Sequence, residues 1–142
     1  MTCTFFGHRD CPDSIMPRLR EALVRLITQE GVDRFYVGNQ GNFDAMVYRV
    51  LCELRNIYPH IYVSVVLAYM PIEEIANKYG SDTILPEGIE AVPKRYAISW
   101  RNKWMIEHSE YVVTYVTRSF GGAAKFAEFA EKKGRRTFFL RK

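Results

Sequence analysis

The sequence predicts an α/β fold: a three-layer sandwich with a mainly parallel, five-stranded sheet. Three observations lead there. β-prone runs alternate with segments of helical apolar spacing along the whole chain. The third run, residues 61–69, is almost wholly apolar and rich in β-branched residues, as a strand covered on both faces should be. Three runs hand over to glycine, at Gly7, at Gly38 and, after a short polar link, at Gly121-Gly122. At 142 residues the chain is read as one domain, residues 1–142, large enough for a core and too short for two.

The elements follow in order. Residues 2–6 form the first strand, closed by Gly7. Ile15, Leu19, Ala22, Leu23, Leu26 and Ile27 recur at helical spacing, with Asp13 and Ser14 as candidate caps and Pro17 in the first turn. Residues 34–37 form the second strand, and a helix over 42–55 carries Met46, Val47, Val50, Leu51 and Leu54 on one side. After the third strand the rhythm breaks. Residues 70–93 hold a short helix from Pro71 to Tyr79 and then Pro86, Gly88 and Pro93, an excursion long enough to suggest a functional loop or lid. A helix over 94–108, a strand over 111–116, a helix over 122–133 and a strand over 137–140 complete the pattern.

Composition narrows the function classes. Apolar content of 48% and charged content of 25% are those of an ordinary globular domain. No apolar run approaches the roughly 20 residues of a membrane helix, and no signal-peptide layout opens the chain, so a cytoplasmic protein is expected. Net charge is +4, much of it in the last helix and tail (Lys132, Lys133, Arg135, Arg136, Arg141, Lys142), which reads as solvated surface and not as a nucleic-acid stripe. Cys3, Cys11 and Cys52 form no disulfide framework, and Cys11, on a loop beside His8, is the most plausible reactive thiol. His8, His60 and His108 lack metal-ligand spacing, so neither metal nor cofactor is expected.

Four polar signatures carry the chemistry. Gly7-His8-Arg9 puts a permissive residue and a permanent cation just past the first strand, and arginine suits phosphate through its planar fork. Gly38-Asn39-Gln40-Gly41-Asn42-Phe43-Asp44 sets two glycines between a strand and a helix, with Asp44 placed to cap the helix or to accept from a ribose or base. Arg101 falls in the middle of the apolar face made by Ala97, Ile98, Trp104 and Met105. An unpartnered charge there costs several kcal/mol, so its head meets either a buried acid or a ligand cleft. Asn102 is its neighbour around the helix. Gly121-Gly122 opens the last helix with small residues that admit a ligand or a close backbone. In open parallel sheets ligands bind beyond the carboxyl ends of the strands, so the signatures are expected along one edge, around a phosphate-bearing small molecule.

Together Gly7-His8-Arg9, Gly38 to Asp44, Arg101-Asn102 with Met105, and Gly121-Gly122 resemble the SLOG superfamily over nearly the whole chain. This Rossmann-like group includes the DNA-processing protein DprA and the LOG-type phosphoribohydrolases, and the likeness is nearest to small bacterial and phage members. The resemblance implies a nucleotide or nucleotide-derived ligand, with a sensor role. Gly7, His8 and Arg9 would line one wall, Gly38, Asn39, Gly41 and Asp44 would approach ribose or base, and Arg101, Asn102, Gly121 and Gly122 would address the remainder.

The enzymatic branch carries P-G-G-x-G-T-x-x-E. Here Phe120 replaces the proline, Gly121 and Gly122 match, Ala124 replaces glycine, Lys125 replaces threonine and Glu128 matches. The resemblance thus implies Arg101 and Glu128 as the catalytic pair if the chain is a nucleoside monophosphate phosphoribohydrolase. The altered phosphate cradle points to weak activity at most. From the residues alone, Glu128 also reads as an i,i+4 partner of Lys132. Single-stranded nucleic-acid binding is a third reading, disfavoured by the modest charge. Trp100, Trp104, Phe126 and Phe129 are the aromatics expected at a homodimer surface.

Overall fold

β1 (Thr2–Gly7), β2 (Arg34–Val37), β3 (Tyr62–Val66), β4 (Thr83–Ile84), β5 (Tyr111–Tyr115) and β6 (Arg136–Phe139) form one parallel sheet in the order β4-β3-β2-β1-β5-β6. The computed structural model describes residues 1–140, so Arg141 and Lys142 of the basic tail lie outside the described residues. The fold is α/β and Rossmann-like, with six strands in place of the expected five. The extra strand is β4, two residues pairing with Val65 and Val66 of β3. Two residues are too few to show alternation, so this edge reads as loop in the sequence.

Helices cover both faces. α1 (Met16–Gln29) and α2 (Gly41–Ile57) pack on one, burying Leu19, Leu23, Leu26, Met46, Val47 and Leu54 against Cys3, Phe5, Phe35, Tyr111 and Val113. α4 (Lys94–Glu107) and α5 (Gly122–Lys132) pack on the other, where Met105, Ile106, Phe126 and Ala130 meet Phe6, Val66 and Val112. Val112 and Val113 thus face opposite layers, the period-two alternation of a strand buried on both sides. Each fully buried aliphatic side chain contributes about 1.5–3 kcal/mol, so the two layers together hold the sheet. Asp13 and Ser14 do not cap α1. They lie in a 3-10 turn ahead of it, and Asp13 accepts a hydrogen bond from Asn42 Nδ2 at 3.0 Å.

The excursion after β3 contains α3 (Glu73–Tyr79), β4 and two 3-10 turns. Asp82 ties it to α2, accepting from Arg55 at 2.9 Å and from Tyr48 at 2.8 Å. No helix among the described residues is long and apolar enough to cross a membrane.

Candidate functional site

The chain winds outward from β1 through β2, β3 and β4, then crosses back to lay β5 on the other side of β1. Winding direction reverses there, and beyond the carboxyl ends of β1 and β5 lies a cleft of about 360 Å³. Residues following β1 (Gly7, His8, Arg9), residues following β5 (Arg118, Gly121, Gly122, Ala123), Gln40 and Asp44 at the start of α2, and Ile98, Arg101, Asn102 and Met105 of α4 line it. Volume is at the low end of the about 300–1,000 Å³ typical of small-molecule sites.

Arg101 is the centre of the cleft floor. It is 1% exposed, the largest side chain buried so completely. Its Nη1 donates to the Val66 carbonyl at 2.8 Å and to Asn39 Oδ1 at 3.3 Å, and its Nε donates to Asn102 Oδ1 at 2.8 Å. It forms no ion pair among the described residues. Nη2 donates to no acceptor among them, yet the one buried side-chain oxygen or nitrogen without a partner is Thr114 Oγ1. Nη2 therefore opens onto the cleft. The apolar helix face thus carries a cation that lines the cavity, with Asp44 near enough to offset part of its burial cost.

Among the described residues, Asp44 is the only carboxylate lining the cleft. Its Oδ2 accepts the Gln40 N–H at 2.9 Å, reaching back over the first turn of α2 as a capping carboxylate does. Burial pushes its carboxyl up to about 6, against the downward pull of the Gln40 N–H and of the Arg101 and Arg9 charges. Burial likewise disfavours the Arg101 charge, and Asp44 offsets part of that cost.

His8 is 3% exposed, and its Nε2 accepts the Thr117 N–H at 2.9 Å. Burial, then the Arg118 charge, lowers its pKa, with Asp10 opposing. Two arginines stand at the rim. Arg9 Nη2 donates to Gln40 Oε1 at 2.6 Å, and Arg118 grips Asp10 with both terminal nitrogens at 3.0 and 3.3 Å. Arg118 in turn holds the Asp10 carboxyl below its ordinary range. The N-terminus of α5 also lines the cleft, and there Gly121 takes φ +94° and no side chain caps the helix. A Cβ at either Gly121 or Gly122 would meet nothing within 4 Å, so space is open above the first N–H groups of the helix.

Of the residues named from the sequence, Gly7, His8, Arg9, Asp44, Arg101, Asn102, Gly121 and Gly122 line this one cleft. Gly38, Asn39 and Gly41 stand behind it. A Cβ at Gly38 would come 2.7 Å from Asp44 Oδ2 and 3.4 Å from Arg101 Nη1, so this glycine lets the two charged groups approach the backbone. Gly41, at φ +90°, lets the start of α2 pass the Arg9 backbone, where Asn42 N–H reaches the Arg9 carbonyl at 2.9 Å. Glu128 is not among the lining residues. Phe126, Ala127 and Ala130 are the buried face of α5, and Glu128 lies on its exposed side, paired with Lys132 at 3.2 Å.

Sequence reasoning missed Arg118 as a cleft residue and passed over Gln40, though it stands inside the second signature. The available signal for Arg118 is its place on the short link between the end of β5 and Gly121. The excursion after β3 does not cover the cleft. It lines a separate, apolar groove of about 660 Å³ with Tyr69, Met70, Ile72, Leu85, Ile89 and Val92. Of the four aromatics expected at a dimer surface, Phe126 is buried and Trp100, Trp104 and Phe129 are half-buried, each with contacts inside the chain. Phe126 stacks on Phe6, Trp104 lies against Tyr36 and His108, Phe129 joins the α4–α5 layer, and Trp100 joins Ala68, Ile89 and Ala97. No group of three or more His, Cys, Asp or Glu able to hold a metal comes together among the described residues. No protein-family model matches the sequence, and no curated protein matches it.

Proposed function

We propose that the protein binds a nucleotide or nucleotide-derived small molecule in the cleft between the ends of β1 and β5, as a member of the SLOG superfamily. The observation that carries this reading is Arg101: a permanent cation, 1% exposed, without an ion pair among the described residues and with Nη2 open to the cavity. A buried charge of this kind is balanced by an anion, and a phosphate accepts from a guanidinium with good geometry. The uncapped N-terminus of α5 supplies further donors on the same cavity, and Asp44 supplies an acceptor for a hydroxyl or amino group. Glu128 lies away from the cleft, so no observation favours the phosphoribohydrolase reading over simple binding.

The test is calorimetric titration with AMP, ribose 5-phosphate and adenosine, together with native mass spectrometry of the freshly purified protein. AMP is expected to bind, ribose 5-phosphate more weakly and adenosine weakest. Failure of both phosphate compounds to bind or to raise the melting temperature would remove the proposal.

A further inference from the structure

We propose that His8 is a ligand-contacting residue, a neutral imidazole fixed as the Nδ1–H tautomer that donates to a phosphate oxygen alongside Arg101. This rests on the reading of the cleft given above and adds the residue that selects the acceptor.

The tautomer follows from one hydrogen bond. Thr117 donates its backbone N–H to His8 Nε2 at 2.9 Å, and only a bare ring nitrogen accepts. A neutral ring then carries its proton on Nδ1. That N–H meets no acceptor among the described residues, although the ring is 3% exposed. Nδ1 is not sealed in, since Thr114 Oγ1 is the one buried side-chain oxygen or nitrogen left without a partner among the described residues. His8 lines the cleft, so Nδ1–H opens there.

Arg101 presents the same condition from the other side. Its Nη2 is an unpartnered donor on a side chain almost wholly buried, lining the same cavity. Burying donors without acceptors is costly, so two such groups on one cavity mark where an acceptor belongs. One of the two is permanently charged, which makes that acceptor an anion and favours a phosphate over a base carbonyl. The backbone bond from Thr117 also keeps His8 from rotating to become an acceptor, and so excludes a ligand hydroxyl or amine donor at this point.

Two substitutions separate the donor from the anchor. Gln at position 8 places its amide oxygen near Nε2 and keeps the Thr117 bond but offers no donor at Nδ1. Asn places its amide nitrogen near Nδ1. His8→Gln is expected to weaken inorganic phosphate and ribose 5-phosphate binding by about ten- to a hundredfold, the range for a hydrogen bond to a charged group, and to leave adenosine binding unchanged. His8→Asn is expected to retain more phosphate affinity than His8→Gln. Independently of any ligand, nitrogen NMR of the wild-type protein should show a protonated Nδ1 and a bare Nε2 for His8, with Nδ1 moving when phosphate is added.

An Nε2–H tautomer, a reversed order of the two variants, or an equal penalty on adenosine overturns the proposal. Wild-type protein that binds no phosphate compound overturns the reading of the cleft and this inference together. Wild-type protein that binds them, with His8→Gln binding equally well, overturns this inference alone.

Discussion

Two cavities flank α4, and they differ in kind more than in size. The cleft at the β1–β5 switch point holds about 360 Å³, and its lining includes the buried Arg101 and His8 and the half-buried Asp44, groups that are expensive to take out of water. The groove of the excursion holds about 660 Å³ and is lined mostly by apolar side chains, with Glu90 and Lys94 among them and Met70 and Ile72 left 75% and 63% exposed. A groove of apolar residues forms wherever a loop crosses a sheet edge, and it leaves no hydrogen-bonding demand unmet. A buried cation with a free edge is unfavourable unless something answers it. Unmet polar demand, more than volume, distinguishes the proposed binding site from the groove.

The sharpest way to break that comparison is Arg101→Met. If the cation exists for a ligand, AMP affinity should fall by about 1.5–3 kcal/mol, with the melting temperature lowered only modestly, since the bonds to Val66, Asn39 and Asn102 are lost along with the burial cost of the charge. Calorimetry and thermal unfolding on one sample decide it. A large loss of stability with binding intact would make Arg101 a structural residue, holding β3 to the second signature through Val66 and Asn39.

Asp44 offers a second test of the same floor. Its ordinary pKa of 3.8 becomes about 6 in the folded protein, so the folded state holds this proton more tightly than the unfolded chain does. The sign follows: keeping Asp44 ionised lowers stability above about pH 6, and that penalty fades as pH falls toward its ordinary value. Asp44→Asn should therefore stabilise the ligand-free protein at pH 7 and lose that advantage near pH 4. Denaturant midpoints measured across that range check both halves. A variant less stable than wild type at pH 7 would mean that the capping bond from Gln40 outweighs the burial cost.

The groove should answer differently. Met70→Ser with Ile72→Ser changes two exposed side chains, and surface changes of this kind move stability by about 0.5 kcal/mol or less. AMP affinity should not move at all. A loss of nucleotide binding in this double variant would show that the two cavities act as one site, with α4 between them.

The contrast between the two regions also shows what a sequence can disclose. Strand ends followed by glycine, and a cation set in an apolar helix face, are local patterns, and they led to the fold class and to Arg101. The two-residue β4 has no pattern to read, since its pairing with Val65 and Val66 is decided by the sheet beside it. Arg118 has only a weak signal, its place on the link between β5 and Gly121, because a loop residue reaches a cleft through where the loop lands and spacing along the chain does not encode that. Gly38 and Gly41 were named for approach to a ligand. Their stated neighbours are Asp44, Arg101 and Arg9, so they serve the site from behind. The length and broken rhythm of the excursion suggest a functional loop or lid, and the excursion belongs to the β3–β4 side of the sheet, away from the switch point.

Glu128 gives the smallest effect expected and a pointed test of motif matching. It satisfies the last position of the glycine-rich motif by spacing, but helix phase decides where a side chain goes. Phe126, Ala127 and Ala130 turn toward the sheet, which leaves Glu128 on the outer side with Lys132 at 3.2 Å. Exposed pairs of this geometry stabilise a helix by about 0.2–0.5 kcal/mol and are screened by salt. Glu128→Ala should thus cost no more than that in thermal unfolding, less in high salt, and should leave AMP affinity unchanged. Release of free adenine from AMP, followed by chromatography, should be slow or absent in wild type and no slower in the variant. Rapid release that disappears with Glu128→Ala would require α5 to rotate its outer face toward the cleft, and would make the enzymatic reading the correct one.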